Sequence, residues 1–309
     1  MGPTATGKTQ LALKLADHYP IEIISVDSAL VYRDMNIGTA KPSVLELSQV
    51  THHLINILSP LESYSVANFV RDSTNLIKAV NQRGKLPVLV GGTMMYYNGL
   101  LNGISHLPES DAKIRDELSQ RGLKDGFNVL HDELSRVDNV AALKIAPSDK
   151  QRLIRALEVF YLTGKPISYL QQHNKVIPDN EINFLNLAIL PTNREILHSR
   201  INARFNKMLV DGFIDEVQYL QLKYSDLTID DTSMRCVGYY QVWQYLAGQL
   251  SYQQLLDSGM AATRQLAKRQ ITWLRNMEII NLDINQDLKL DSMFEQLLCQ
   301  ISRFKKNST

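Results

Sequence analysis

The chain has few cysteines, and the two that it has cannot build a disulfide framework. Cys236 and Cys299 are the only cysteines among 309 residues, and neither has partners at metal-ligand spacing. The seven histidines supply no such spacing either, because His52 and His53 are adjacent and the others are scattered. The composition therefore argues against a disulfide-stapled fold and against a structural zinc site.

Long apolar runs and a strong excess of either charge are also absent. No segment approaches the roughly 20 apolar residues that span a bilayer. Because Gly2 and Pro3 follow Met1 directly, we expect no signal peptide. We therefore expect a cytoplasmic protein without a membrane partner. The 33 basic and 32 acidic residues give a formal net charge of +1, so any nucleic-acid surface would be a local basic patch.

Residues 2–9, GPTATGKT, have the spacing of a phosphate-binding P-loop. The pattern would arise by chance in about one chain of this size in a hundred. Gly2 and Gly7 would let backbone N–H groups converge on an anion at the positive end of a helix. Lys8 would supply a charge for the phosphates, and Thr9 a hydroxyl for Mg²⁺. The alternative is an ordinary helix N-terminus with incidental glycines.

The apolar periodicity predicts alternating strands and helices around this loop. A helix is expected in residues 9–19, a buried strand in 21–27, and a second strand in 86–92 that runs through two glycines into another helix. A strand-like run returns at residues 184–191. A P-loop normally follows a buried strand, yet only Met1 precedes Gly2, so we expect either an incomplete N-terminus, which we favour, or a sheet without that strand.

Residues 108–180 differ in composition from the rest of the chain: they contain charged, helix-favouring stretches and no convincing strand pattern. We therefore expect an α/β fold, a P-loop NTPase-like parallel sheet flanked by helices, with an inserted all-helical subdomain. The predicted catalytic core comprises residues 1–107 and 181–309, including C-terminal helices, and the predicted insertion comprises residues 108–180.

Asp27 stands at the carboxyl end of a predicted strand, where open α/β sheets bind ligands. Many P-loop hydrolases place a Mg²⁺-binding acid after a later strand, but here that strand ends in Gly91-Gly92-Thr93. Asp27 could instead accept a proton from an acceptor molecule beside the phosphates. It could equally cap the following turn, as aspartates often do.

Two predicted helices carry rows of basic residues. In residues 262–275, Arg264, Lys268 and Arg275 fall within about 40° on a helical wheel, and Arg152 and Arg155 lie three residues apart. Such a row can follow a nucleic-acid backbone. It is also what a solvated helix face looks like, and the spacing alone does not separate the two.

The motifs taken together resemble one family, the tRNA dimethylallyltransferases (tRNA isopentenyltransferases) of bacterial type. The resemblance extends from Gly2 to Arg275, with the blocks in the family's order. These blocks are GPTATGKT, SVDSALVYRDMNIGTAKP, HHLINI, LPVLVGGTMMYY, QRLIRALEVF, RCVGYYQVW and ATRQLAKRQITWLR. One departure is Tyr240, which stands where relatives often have a basic residue.

The resemblance implies transfer of a dimethylallyl group from dimethylallyl diphosphate to N6 of adenine 37, next to the anticodon, in tRNAs that read codons beginning with U. Diphosphate would leave, Mg²⁺ would assist, and the helical insertion would contact the anticodon stem-loop. A monomer is expected. The adenine would be flipped out of the anticodon loop. The charge on the leaving diphosphate would be stabilised by the P-loop, including Lys8, and by Arg204.

The resemblance also assigns residues. Asp27, Lys8 and Thr9 would be catalytic, with Thr9 as the Mg²⁺ ligand. The residues expected at the diphosphate are Gly2, Thr4, Ala5, Thr6, Gly7, Lys8, Thr9 and Arg204. Those expected at the tRNA are Asp27, Ser28, Ala29, Leu30, Thr93, Arg115, Gln151, Arg152, Arg155, Arg235, Cys236, Val237, Gly238, Tyr239, Tyr240, Lys268 and Arg269.

Three other activities share parts of this pattern. A small-molecule kinase would use the P-loop for ATP and ignore tRNA. A prenyltransferase for free adenine nucleotides would act on AMP or ADP and leave the inserted helices without a role. A P-loop protein that only binds nucleotide would catalyse no transfer.

Overall fold

The structure, a computed structural model, describes residues 1–176, 182–282 and 290–307. Two compact units share the chain. One comprises Met1–Asn98 together with Asn180–Thr309, and the other is Gly99–Asp179. The second unit begins at Gly99, upstream of the boundary predicted at residue 108. The predicted boundary between residues 180 and 181 lies outside the described residues.

The first unit is built on a three-stranded parallel sheet. Its central strand β1 (Ile21–Val26) is buried throughout and pairs with β3 (Leu86–Gly91) from Ile21↔Leu86 to Val26↔Gly91. The short strand β2 (His52–His53) pairs with the other edge of β1. The apolar, β-branched sequence of β1 suits a strand that is covered on both faces.

Helices flank this sheet, as the sequence predicts. Leu11 and Leu15 of the first helix share a core with Ile21 and Ile23 of β1 and with Phe294 of the last helix. The helices of this unit are α1 (Lys8–Ala16), α2 (Val44–Gln49), α3 (Val66–Gln82), α4 (Met94–Asn102, which continues past the unit boundary), α10 (Arg194–Val210), α11 (Phe213–Lys223), α12 (Tyr239–Leu246), α13 (Tyr252–Leu274) and α14 (Leu290–Asn307).

A second parallel pair consists of β6 (Leu187–Ile189) and β7 (Ile280–Leu282). The sequence predicts β6, which lies in the apolar run of residues 184–191, but not β7, whose three residues belong to no comparable run. Met1 pairs with β6 as well: its nitrogen donates to the Leu187 carbonyl at 2.7 Å, and the Ile189 N–H donates to the Met1 carbonyl at 3.0 Å. This is the alternation of a parallel ladder, so Met1 lies in a strand position directly before the P-loop.

The second unit is helical, as predicted, and also contains one short pair of strands. Leu118, Leu130, Leu153 and Leu157 form the centre of its core. Its helices are α5 (Ala112–Asp125), α6 (Phe127–Val137), α7 (Asn139–Ala142), α8 (Lys150–Thr163) and α9 (Ile167–His173). The expectation of an all-helical insertion missed a small antiparallel pair, β4 (Ile104–Ser105) with β5 (Lys175–Val176), because two-residue strands have no detectable period. No helix in the described part of the chain is long and apolar enough to cross a bilayer.

The side chain of Glu216, on α11, holds two distant segments of the first unit together. Its carboxylate accepts hydrogen bonds from the backbone N–H groups of Asn36 (2.9 Å), Ile37 (2.7 Å) and Gly38 (3.1 Å). It also accepts one from the Tyr239 hydroxyl at 2.6 Å. Burial and this carboxylate raise the pKa of Tyr239 well above its ordinary value. One carboxylate thus satisfies four donors that would otherwise be poorly solvated.

Replacing Glu216 with alanine is expected to destabilise the first unit by about 3 kcal/mol, because four donors lose their acceptor. Urea unfolding measures the loss. Asp215→Ala, an exposed neighbour on the same helix turn, is the matched control and should cost about 0.5 kcal/mol or less. Equal losses in the two variants would show that the Glu216 cluster contributes no special stability.

Candidate phosphate-binding and acceptor site

The loop between Gly2 and Gly7 turns sharply into α1. Gly7 (φ 87°) and Ala5 (φ 63°) both adopt the left-handed conformation, which turns the backbone tightly. None of the described side chains caps the first turn of α1, and no acidic residue stands in it. The N–H groups at this helix end therefore remain available to an anion, as the P-loop prediction requires.

Lys8 is held at the mouth of the loop. Its Nζ donates to the Pro3 carbonyl at 2.6 Å, and Thr6 Oγ1 donates to the same carbonyl at 2.8 Å. Burial, and secondarily the Arg204 cation, lower the pKa of Lys8 to about 7, while Asp27 opposes the shift. The charge on Lys8 is therefore sensitive to pH near neutrality, and a bound anion would favour the protonated form.

Arg204 brings a second cation to the loop from the middle of α10. Its pKa is lowered by burial and raised by Asp27, so it lies within electrostatic range of both Asp27 and Lys8. Among residues 1–176, 182–282 and 290–307, no side chain or carbonyl accepts a hydrogen bond from its guanidinium. An arginine that is largely withdrawn from water without a partner is suited to an anionic ligand.

Asp27 directly follows β1. Its surroundings are compatible with both predicted roles, capping the following turn and accepting a proton. Its Oδ1 accepts the Ala29 N–H at 2.9 Å, which forms the turn-capping contact. Thr93, at the end of β3, supports the same turn, since its Oγ1 accepts the Ser28 N–H at 3.0 Å. Asp27 also faces the two cations. One carboxylate oxygen thus fixes the turn, and no described residue donates to the other.

The thiol and phenol groups near Asp27 stay uncharged. Burial, followed by the Asp27 charge, raises the pKa of the Cys236 thiol to about 12. Burial likewise raises the pKa of Tyr96 and Tyr97 above the ordinary tyrosine value, and Asp27 contributes to both shifts. None of these three neighbours therefore adds a negative charge beside Asp27.

The segment 235–240, predicted to contact tRNA, is divided between surface and core. Tyr239 is fully buried and bonded to Glu216, so any contact made here comes from its neighbours or from the backbone. Tyr240 is 37% exposed, and Arg235 is exposed with Asp230 at 3.6 Å. Gly238 is buried and Val237 partly so, and Cys236 lies beside Asp27.

Within the helical unit, the predicted tRNA-contacting residues differ in availability. Arg155 is engaged: it donates to Glu158 Oε2 at 2.7 Å and to the Pro108 carbonyl at 2.6 Å. Arg115 donates to Ser110 Oγ at 3.1 Å. The exposed side chains are Gln151 and Arg152, the latter 3.3 Å from Asp149. Arg155 therefore ties α8 to the segment before α5, which spacing alone did not indicate.

The basic helix α13 has both exposed and engaged members. Lys268 and Arg269 are exposed, and no described residue pairs with either side chain. Arg275 is exposed as well. Arg264 instead donates to Asn202 Oδ1 at 2.9 Å. Three of the four basic residues named here are thus presented to solvent.

Gln270, on the same helix, is a site residue that the sequence analysis missed. It is 8% exposed, its Oε1 accepts the Thr4 N–H at 2.9 Å, and its Nε2 donates to the Gly92 carbonyl at 2.8 Å. The available signal was its position on the apolar stripe of α13 between Ala267 and Leu274. A polar residue at a core position must have buried partners.

The loop fits a magnesium ion only together with a phosphate ligand. Thr9 lies in the first turn of α1, and its hydroxyl makes no hydrogen bond to the described residues. The described residues contain no group of three or more histidine, cysteine, aspartate or glutamate side chains that could hold a metal. Mg²⁺ prefers oxygen ligands and often takes several from water and substrate phosphates, so one hydroxyl is a sufficient protein contribution.

A cavity of about 580 Å³ has Arg204 in its wall. Its lining is mixed, with Ile37 and Met208 beside Lys41 and Lys207. Burial lowers the pKa of Lys41 to about 8, although its Nζ donates to the Tyr32 carbonyl at 2.7 Å. The cavity thus extends the basic surroundings of Arg204.

The parallel sheet, the loop before α1 and the cations beside that loop define the class: this is a P-loop-like α/β protein. The sequence model of the IPP transferase family matches residues 30–277. Two similar proteins are the tRNA dimethylallyltransferases of Chromobacterium violaceum, 50% identical over 93% of this chain and 88% of its own length, and of Legionella pneumophila strain Paris, 52% identical over 90% and 88%.

Two solved structures are also similar. The full-length tRNA isopentenylpyrophosphate transferase of Bacillus halodurans is 35% identical, with a TM-score of 0.68 over 99% of this chain and 97% of that one. A eukaryotic dimethylallyltransferase acting on tRNA is 28% identical, with a TM-score of 0.82 over 99% of this chain and 78% of that one. The chain belongs to the IPP transferase family. It is a transferase, and the predicted family and fold class are confirmed.

Proposed function

We propose that this protein transfers a dimethylallyl group from dimethylallyl diphosphate to N6 of adenine 37 in tRNAs that read codons beginning with U. The C1–O bond of the donor breaks, a C1–N6 bond forms, one N6 proton is released, and diphosphate departs. The similar proteins from Chromobacterium violaceum and Legionella pneumophila carry the corresponding name. We further propose that it acts in the cytoplasm as a monomer, which light scattering of the purified protein would test.

The observation that carries the proposal is the convergence of two cations and one carboxylate. Lys8 and Arg204 stand within electrostatic range of Asp27 at the end of the P-loop. Allylic transfer develops positive charge on the donor carbon and negative charge on the departing diphosphate. Preorganised cations at the leaving group stabilise that charge separation more than they stabilise the ground state.

Asp27 supplies the other half of the chemistry. The adenine amine is a weak nucleophile because its lone pair is delocalised into the ring. A carboxylate that accepts one N6 proton both orients the amine and removes the charge that builds on nitrogen. Because Oδ1 is committed to the Ala29 N–H, we assign the proton-accepting role to Oδ2.

The acceptor must come out of its stack to reach Asp27, at a cost of a few kcal/mol. We propose that the flipped nucleotide is received by Ser28, Ala29, Leu30 and Thr93, and that exposed Lys268 and Arg269 contact the tRNA backbone. Gln151, Arg152 and Arg115 of the helical unit would contact the anticodon stem-loop. Mutation of a residue that contacts the tRNA backbone should weaken tRNA binding and reduce the dependence of the tRNA Kd on salt concentration.

Magnesium is proposed to bind with the donor rather than before it. Thr9 would contribute its hydroxyl, and the ion would neutralise part of the diphosphate charge. We expect calorimetry to detect no Mg²⁺ binding by the protein alone below about 1 mM, and diphosphate binding to weaken at least tenfold when EDTA removes the ion. Thr9→Val should reduce this Mg²⁺ dependence. Tight Mg²⁺ binding in the absence of diphosphate would contradict the assignment.

One experiment tests the function against its rivals. Protein and Mg²⁺ are incubated with radiolabelled dimethylallyl diphosphate or with labelled ATP, and unmodified tRNA, AMP or buffer is offered as acceptor. Label moving from the allylic donor to tRNA, and mapping to adenine 37 after nuclease digestion, is the expected result. Phosphate transfer from ATP would indicate a kinase, and equal labelling of AMP a nucleotide prenyltransferase. ATP binding with no transfer in any arm would indicate a switch protein.

A further inference from the structure

Gln270 is an uncharged, buried residue on an otherwise basic and exposed stretch of α13. Its neighbours Lys268 and Arg269 are exposed, whereas Gln270 is 8% exposed. Both ends of its amide are used inside the protein. A buried amide with every partner drawn from backbone atoms of other segments fixes those segments relative to each other.

The two backbone groups that Gln270 joins belong to the two halves of the candidate site. The Thr4 N–H lies in the P-loop, and the Gly92 carbonyl lies at the end of β3. The contact with β3 is close: a Cβ at Gly92 would come within 2.3 Å of the Gln270 Nε2. A side chain at position 92 would therefore displace the amide that holds the loop.

Gly92 is followed by the residue that supports the acceptor turn. Thr93 accepts the Ser28 N–H through its Oγ1 at 3.0 Å, and its own N–H donates to the Val26 carbonyl at 3.1 Å. Asp27 lies between Val26 and Ser28. A continuous chain of hydrogen bonds and covalent links thus runs from the P-loop through Gln270 to the turn that carries Asp27.

We propose that Gln270 is a positioning residue that sets the P-loop against the Asp27 turn. The inference rests on the proposed function only in naming what the two halves bind, a departing diphosphate and an amine acceptor. A transfer reaction needs its reacting atoms about 3–3.5 Å apart, and small misplacements cost large factors in rate. Gln270 acts through Thr4 and Thr93 and does not touch either substrate.

The test uses Gln270→Met, which keeps the length of the side chain and removes both hydrogen bonds. Gln265→Met is the matched control, since Gln265 is an exposed glutamine on the same helix. The measurements are the Kd for inorganic diphosphate with Mg²⁺ by calorimetry, kcat, the KM values for donor and tRNA, and the melting temperature. The control is expected to match the original protein in all of them.

For Gln270→Met we expect diphosphate binding to weaken about tenfold and kcat to fall at least tenfold, with the KM for tRNA changed less than twofold. A residue that only stabilises the fold would lower the melting temperature and leave diphosphate affinity and kcat of the folded protein unchanged. That result would overturn the proposal.

If Gln270→Met does not fold, Gln270→Glu replaces it. A protonated glutamic acid has one donor and one acceptor group, enough for the two contacts that the amide makes here, whereas the carboxylate has acceptors only. The ratio of diphosphate Kd between this variant and the original protein should approach one as pH falls, and a ratio that stays constant with pH would overturn the proposal. If the original protein does not transfer the allylic group, the proposed function is wrong. The role of Gln270 is still decided by the Kd for diphosphate, which does not depend on that transfer.

Discussion

Replacing Asp27 with asparagine is expected to lower kcat by about a thousandfold while tRNA binding is largely kept. The substitution is nearly isosteric, and the amide oxygen can still accept the Ala29 N–H that the Oδ1 atom of Asp27 accepts at 2.9 Å. The turn is therefore preserved. What disappears is the ability to take a proton from N6 and the negative charge that faces Lys8 and Arg204.

Single-turnover transfer at saturating donor and tRNA measures the chemical step, and filter binding measures the affinity for tRNA. Asp27→Ala removes the turn contact as well and should show the same lost turnover with a small additional loss of stability. Asp17→Asn, at an exposed position, is the control and should behave as the original protein does. Normal turnover by Asp27→Asn would exclude the general-base role and leave Asp27 as a turn residue.

Replacing Lys8 with methionine is expected to weaken diphosphate binding at least a hundredfold and to lower kcat as well. The loop loses the cation that is directed into it, and only Arg204 and the N–H groups remain to balance the leaving-group charge. Lys14→Met, further along α1 and paired with Asp291, is the matched control. It should leave both quantities within twofold, because Lys14 does not belong to the loop. Diphosphate affinity retained in Lys8→Met would contradict the assignment of this loop.

The lowered pKa of Lys8 also predicts a pH dependence. With a pKa of about 7, Lys8 is charged below neutrality and loses its proton above it, whereas bound diphosphate favours the charged form. The Kd for diphosphate should therefore rise with pH above about 7, by up to tenfold per unit. Binding at pH 8 should take up close to one more proton than it does in Lys8→Met, which calorimetry in two buffers of different ionisation enthalpy measures. Equal uptake by the two proteins would show that Lys8 is already charged.

The sequence by itself determined the local features of this protein. The GPTATGKT spacing located the loop, the apolar runs located β1 and β3, and the helical period after the loop located α1. Helix-favouring stretches indicated the helical character of residues 108–180. These features were readable because each depends on residues within a few positions of one another. The resemblance then supplied the family, which the comparisons confirm.

Only the tertiary structure decided which distant residues meet. Arg155 could have been a solvent-facing cation, but Glu158 and the Pro108 carbonyl engage it. Tyr239 was predicted at the tRNA, yet the structure buries it against Glu216. Gln270 looked like one more polar residue on a basic helix until Thr4 and Gly92 were found at its two ends. The physical reason is that periodicity records whether a residue faces the core or solvent, whereas its hydrogen-bond partner depends on how segments far apart in the chain pack together.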